Sequence, residues 1–444
     1  MEAEKMLKRK AYARLIEWKN SSDRKCLMIK GARQVGKTWL VREFGKNEYE
    51  SYIEINFIIQ KQLKAIFNGD LSTENIFKRM SAAIPNISFI PGKTLIFLDE
   101  IQNCGNARTA IKFLTQDGRY DVITSGSLLG LTYGENGDTE AEEPESVPTG
   151  YESFMTLYSL DFEEFLWAEG YNTEIISDLE RSFNEGAKID PFINERFEEL
   201  FREYIVTGGM PEVVDRYCVN HDFNDALAIQ EQILENYRFD ISKHAKGAEK
   251  QKVRACYDAI PRQLARELKK FQYSTVEKGT TSKKYGGSVQ WLIDSSTVNP
   301  CYNVHEAYIP LMANCNDAQF KLYINDTGLL CAMYGFETRR AVLDNSIKGS
   351  AKGGIYENVI AECLVKRGYK LYYYKPDDDH ELEFLIEKDG DVAPVEVKAG
   401  NTSTVSLNNF IKEYKPRRAF KFINGNAGIT GNKVTLPHYM VMFI

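Results

Sequence analysis

Cys26-Leu-Met-Ile-Lys30, followed at once by Gly31-Ala-Arg-Gln-Val-Gly36-Lys37-Thr38, decides the fold. The first five residues read as a buried strand, and the next eight fit GxxxxGK[ST] in full. Glycines let such a loop wrap so that backbone N–H groups and the N-terminus of the next helix face a phosphate chain. Lys37 then reaches the β/γ oxygens, and Thr38 is placed to ligate Mg²⁺. Gly31, Ala32, Arg33, Gln34, Val35, Gly36, Lys37, Thr38 and Trp39 are therefore the candidate nucleotide-contacting residues, with ATP and Mg²⁺ as the expected cofactors.

Working outward, Thr94-Leu-Ile-Phe-Leu98 reads as a second strand ending in Asp99-Glu100. Asp99 sits where a carboxylate can hold Mg²⁺ at the phosphate loop, and Glu100 where a second acid can polarise the attacking water. Glu100 points to hydrolysis rather than to structural storage of ATP. A third strand, Asp121-Val-Ile-Thr-Ser125-Gly-Ser127, ends in hydroxyls, of which Ser125 is the candidate sensor of the γ-phosphate, with Thr124 and Ser127 close behind. Hydroxyls that merely cap the next turn are the bland alternative.

The 444-residue length implies two to four domains. A net charge of −7 argues against a uniformly basic surface, so any nucleic-acid site must be local. Eight cysteines are scattered singly, without zinc spacing, and read as reduced packing thiols. No apolar run resembles a signal peptide or a membrane span, so a cytoplasmic protein without membrane insertion is expected. Charge is segregated: no Lys or Arg lies between Arg119 and Arg181, and Gly134 to Ser146 is acidic enough to read as a mobile loop. Lys243 to Lys284 and Lys412 to Lys421 are basic. The chain reads as an α/β part, a helical middle from Glu180 to about Tyr273, and a small α/β end with a helix at Tyr356 to Arg367 and strands at Leu371–Tyr374, Glu383–Glu387, Pro394–Lys398 and Ala419–Ile423.

Five ordered motifs, Gly31 to Thr38, Leu98-Asp-Glu-Ile-Gln102, Ser125-Gly-Ser-Leu-Leu129, Leu160-Asp-Phe-Glu-Glu-Phe-Leu166 and Gly208-Gly-Met-Pro-Glu212, resemble those of prokaryotic AAA-family ATPases of the archaeal, STAND-like type, which carry a C-terminal domain similar to restriction-type nucleases. The resemblance implies an AAA+ core at 1–165, a helical lid at 166–240, a winged-helix segment at 241–345 and a nuclease-like domain at 346–444. It also implies a homo-oligomer, a Pro211 near the adenine, and an arginine finger that no position here matches. The segment Ala259 to Ile293 has the look of a winged helix contacting DNA. A basic linker docking on the chain's own acidic stretch is the alternative.

The end domain carries its own constellation. Glu357 lies on the expected helix, Glu383 on one strand and Glu396-Val-Lys398 on another, with Glu396 and Lys398 on one face. The set resembles PD-(D/E)xK nucleases, in which such carboxylates bind Mg²⁺ and the lysine orients the nucleophile. Glu383 and Glu396 are the expected metal ligands, and Glu357, Glu383, Glu396 and Lys398 the expected catalytic set. Glu383 departs from the usual Asp, and Glu381, two residues earlier, can partly substitute. Asp377-Asp-Asp379 reads as a solvated turn. Two functions follow: an ATP-driven switch that positions a winged helix and a DNA-cleaving domain, or a signalling or scaffold ATPase whose end domain only binds a partner.

Overall fold

The computed structural model describes residues 7–126, 148–244, 248–376, 380–400 and 404–444. Ser127, the acidic 134–146 stretch and Asp377–Asp379 lie outside the described residues. Lys8–Tyr158 forms one compact unit and Ser159–Ile444 belongs to a second.

In the first unit, apolar runs become strands because their backbones pair in parallel and both faces are covered. β1 (Cys26–Lys30), β2 (Ser51–Asn56), β3 (Thr94–Asp99), β4 (Asp121–Gly126) and β5 (Glu152–Thr156) form one sheet in the order β2-β3-β4-β1-β5. All four pairings are parallel. Each crossover therefore returns to the same edge, and the carboxyl ends of β1, β3 and β4 come together, where ligands bind in open α/β sheets. Met28, Ile55, Ile96 and Leu98 pack with Ile76, Met80, Ala107 and Ile111 of the flanking helices in a shared core. The helix Gly105–Asp117 is tied to β5 by a nearly buried bidentate pair, Arg108 Nη1 and Nη2 to the Glu152 carboxylate at 2.7 and 2.9 Å.

The second unit begins with helices whose starts the sequence dictates. Asp161 and Glu164 close a capping box on Phe162–Ala168, Asn172 caps Thr173–Glu185, and Asp190 caps Pro191–Thr207 with proline at its start. Pro211–Asn220, Phe223–His244 and Ala248–Leu264 follow. The short helix Tyr273–Val276 and the helix Ser282–Asp294 lead into an antiparallel hairpin, β6 (Val298–Val304) with β7 (Cys315–Ile324). That hairpin does not stand alone. β6 pairs in parallel with β8 (Leu371–Tyr374), extending an eight-stranded mixed sheet completed by β9 (Leu382–Lys388), β10 (Asp391–Lys398), β11 (Ala419–Ile423), β12 (Gly428–Thr430) and β13 (Lys433–Pro437). Its order is β12-β13-β11-β10-β9-β8-β6-β7. The 345/346 boundary expected from sequence is thus bridged by backbone hydrogen bonds, because the edge of β6 is satisfied by β8.

Glycines mark two close approaches in this unit. A Cβ on Gly209 would lie 1.9 Å from Leu160 O, and one on Gly354 2.2 Å from Leu264 O. The Gly208–Glu212 and Leu160–Leu166 motifs therefore meet, with Leu160 N donating to Gly209 O at 2.6 Å and Gly209 N to Asp326 Oδ2 at 2.8 Å.

The Arg108–Glu152 pair gives a stability test. Arg108→Met strands a buried carboxylate and should cost about 3–5 kcal/mol in denaturant unfolding, whereas the double change Arg108→Met with Glu152→Leu should recover most of that loss.

Candidate functional site

The phosphate loop is shaped by its glycines and by what lies beneath it. Gly31 has φ +151°, and a Cβ there would meet Leu157 O at 2.1 Å, so only glycine fits. Gly36 adopts φ +90° and opens the helix Lys37–Glu48, while Gln34 takes φ +62°. Ala32 and Val35 turn their side chains into the core, leaving their backbones for a ligand. Arg9, which sequence reading missed, braces the loop by donating to Val35 O at 3.1 Å and to Tyr158 O at 2.6 Å. No motif flags it, since an arginine preceding a helix carries no local signal. Trp39 stands exposed on the helix.

Lys37 is folded back over the loop. Its Nζ donates to Gly31 O at 3.0 Å and Ala32 O at 2.8 Å. Burial pushes its ammonium down to about 8, opposed by Glu100 and then Asp99. The loop carbonyls occupy the ammonium where phosphate oxygens would otherwise take it.

Asp99 is buried at the end of β3 and gathers three donors. Thr38 Oγ1 reaches its Oδ2 at 3.0 Å, Asn56 Nδ2 reaches the same oxygen at 2.8 Å, and Ser125 Oγ donates to Oδ1. Asn56 is a second residue missed by sequence reading, yet register pairs it directly with Asp99 across β2 and β3. Its amide is oriented because its own Oδ1 accepts from Ile58 N and Ile59 N, each at 3.0 Å. Glu100 follows in a left-handed conformation, φ +55°, with its Oε2 accepting from Gln102 Nε2 at 2.6 Å. Ser125 Oγ also lies 3.5 Å from Glu100 N. Asp99, Thr38, Ser125, Lys37 and Glu100 are thus brought together. The hard oxygens of Thr38 and Asp99, side by side, suit Mg²⁺ bound with a nucleotide.

Pro211 begins a helix in the second unit, where the glycines before it serve packing on Leu160 and Asp326. Asp326, fully buried, is raised to about 6 by burial and then by Glu362. It also caps Thr327–Tyr334 through Leu329 N at 3.2 Å.

The end-domain residues also converge, but on lysines. Lys398 Nζ lies 3.3 Å from Glu383 Oε1 and 3.5 Å from Glu396 Oε1, and Val397 N donates to Glu383 Oε2 at 3.1 Å. Glu357, on the helix Gly349–Lys366, instead meets Lys269 at 2.9 Å and accepts from Tyr323 OH at 3.2 Å. Burial raises Glu383 above the usual carboxylate range, with Lys398 opposing and Glu357 adding to the rise. Among the described residues, no group of three or more His, Cys, Asp or Glu is arranged to hold a metal ion.

Comparison with known proteins gives the following matches. Residues 23–166 match the family described as an AAA domain, covering the whole Gly31–Ser125 site. Residues 198–340 and 352–439 match two families each described as a domain of unknown function, DUF8612 and DUF4143. Over 86 residues the chain is 33% identical to uncharacterized proteins of Mycobacterium bovis and Mycobacterium tuberculosis, a match covering 19% of this chain and 19% of each relative. A Walker-type ATPase of Pyrococcus abyssi superposes with a TM-score of 0.44 at 16% identity, over 74% of this chain and 96% of that one. The AAA match and the site geometry together support an AAA-family ATP-binding protein. Among the described residues, no helix is long and apolar enough to cross a membrane.

The state of Lys37 has a pH consequence. Its folded, nucleotide-free pKa, about 8, lies below that of a free lysine, so the charge is lost as pH rises through that value. ATP affinity should hold below it and fall by up to about tenfold per pH unit above it, with proton uptake on binding detected by calorimetry in buffers of different ionisation heat.

Proposed function

We propose that this protein binds and hydrolyses ATP with Mg²⁺ and uses the nucleotide state to set how its second unit engages DNA. The observation that carries the ATP reading is the Asp99 hub. Its carboxylate, the Thr38 hydroxyl, the Ser125 hydroxyl and the Lys37 ammonium converge at the carboxyl ends of parallel strands. Mg²⁺, when bound with the nucleotide by Thr38 and Asp99, would neutralise phosphate charge. Lys37 exchanges its two loop carbonyls for phosphate oxygens, which restores a full counter-charge to a buried ammonium. Glu100, released from Gln102, orients a water and takes its proton, while Ser125 links the Asp99 carboxylate to the Glu100 backbone. Pro211 contributing near the adenine, and a homo-oligomer supplying the missing arginine, belong to the same reading.

The order helix, short helix, helix and hairpin over Ala248–Ile324 supports a winged-helix reading of this segment. Lys283 and Gln290 are exposed on Ser282–Asp294, where a groove-entering helix would need them. Three other basic residues of the segment are in ion pairs: Lys284 with Glu277, Lys252 with Glu249 and Arg254 with Asp258. DNA contact is then expected from exposed cations outside these pairs, such as Lys283. The scaffold alternative is favoured for the end domain itself, because each of its clustered carboxylates has a lysine at 2.5–3.5 Å. A cytoplasmic location goes with this reading.

The test is Glu100→Gln. ATP turnover should fall by about 10²-fold or more while ATP binding is retained. Undiminished turnover would remove Glu100 from the mechanism. Lys37→Ala should abolish binding, and ATP affinity equal to the parent's would defeat the phosphate-loop assignment. For DNA, affinity for a linear duplex should fall steeply with salt, and Lys283→Ala should flatten the slope by about one unit on the log–log plot.

A further inference from the structure

The resemblance to restriction-type nucleases implies a divalent cation among Glu357, Glu383 and Glu396, and the residues present do not fit one. Four carboxylates meet at this place: Glu357 from Gly349–Lys366, Glu381 and Glu383 at the start of β9, and Glu396 from β10. Every one of them has a lysine at 2.5–3.5 Å, and at Glu396 that contact is an ion pair without a hydrogen bond, both of its buried oxygens accepting none. Lys398 stands between Glu383 and Glu396. Lys269 approaches Glu357 Oε1 at 2.9 Å. Lys321, from β7, lies 2.5 Å from Glu381 Oε1 and 3.7 Å from Glu357 Oε2, and Lys375 adds a contact to Glu381 at 3.8 Å.

Lys321 is the decisive residue. It is 1% exposed, and its Nζ also sits 4.9 Å from the centre of the Tyr373 ring, a cation–π contact that a charged ammonium favours. A side chain this enclosed cannot swing to solvent to admit another cation. Four carboxylates against four ammonium groups leave little net charge, and a divalent ion placed beside a buried ammonium would be repelled without compensation. Lys269 and Lys321 come from residues before the helix Gly349–Lys366, which explains why reading the Glu357–Lys398 motif alone suggests an open metal site.

We propose that Lys321, with Lys269 and Lys398, is the resident cation of this cluster in the place a divalent metal would take, and that the end domain is accordingly a metal-independent binding domain that does not cut DNA. The inference deepens the reading of the end domain and stands apart from ATP hydrolysis, so its failure and that of the ATPase reading are separable.

The experiment uses the full chain with Asp99→Asn, which removes the carboxylate proposed to hold the Mg²⁺ of the nucleotide, and without nucleotide. Mn²⁺ is titrated near neutral pH by electron paramagnetic resonance of the free ion and by thermal unfolding. The Asp99→Asn chain should show no saturable uptake and no rise in melting temperature at millimolar Mn²⁺. Adding Lys321→Met should create uptake of one ion and a Mn²⁺-dependent rise in melting temperature, both lost when Glu357→Gln is added. Lys269→Ala, at the margin of the cluster, should give a weaker form of the same gain and serves if Lys321→Met does not fold. Stoichiometric Mn²⁺ uptake by the Asp99→Asn chain that Glu383→Gln or Glu396→Gln abolishes would overturn the proposal. So would a folded Lys321→Met chain that still takes up no Mn²⁺.

Discussion

A single buried carboxylate organises the first unit. Asp99 has little contact with water, so its charge must be met by donors from the protein, and the fold supplies them from three directions. Thr38 comes from the start of the phosphate-loop helix, Asn56 from the end of β2 and Ser125 from the end of β4. Each can arrive only if β2, β3 and β4 run parallel and in register, since a one-residue slip would turn the side chain to the other face. The geometry of the site is in this sense the register of the sheet seen at its carboxyl edge.

The same requirement recurs in the second unit, where lysines join hydroxyls and amides in meeting it. Glu362 pairs with Lys366 at 2.5 Å and also accepts from Thr327 N and Oγ1. Lys366 in turn donates to Leu160 O, tying the charge to the Leu160–Leu166 motif. Buried pairs of this kind add little net stability once desolvation is counted, but they tolerate only one arrangement of their partners. They therefore fix how the helix Gly349–Lys366 sits against the residues before it. The carboxylate cluster around Lys321 is one more instance.

The two sites consequently differ in kind. At the nucleotide site, neutral donors surround Asp99, and the Lys37 ammonium is held by loop carbonyls that it can relinquish. Charge there is incomplete, which suits the proposed binding of a phosphate–cation pair. In the end domain lysines already face the clustered carboxylates. Similar residue types thus serve an open site in one unit and a closed one in the other.

Much was legible from the letters. The strands at Cys26–Lys30, Thr94–Asp99 and Leu371–Tyr374 and the helix around Tyr356 follow from local apolar runs and their flanking turns, and the phosphate loop follows from its glycines. Their boundaries are set by neighbours in the chain, which sequence records directly. Asn56, Arg9, Lys269 and Lys321 were not legible, because their roles arise from contacts across 26 to 149 residues and no local pattern marks a partner that distant. Nor could the sequence show that β6 joins β8, since the apolar pattern of a strand does not name which neighbour it will meet. Sequence determined which groups could carry charge and phosphate chemistry. Only the tertiary structure decided which charges were left open and which were matched, because burial makes an unmatched charge costly and packing alone chooses its counter-ion.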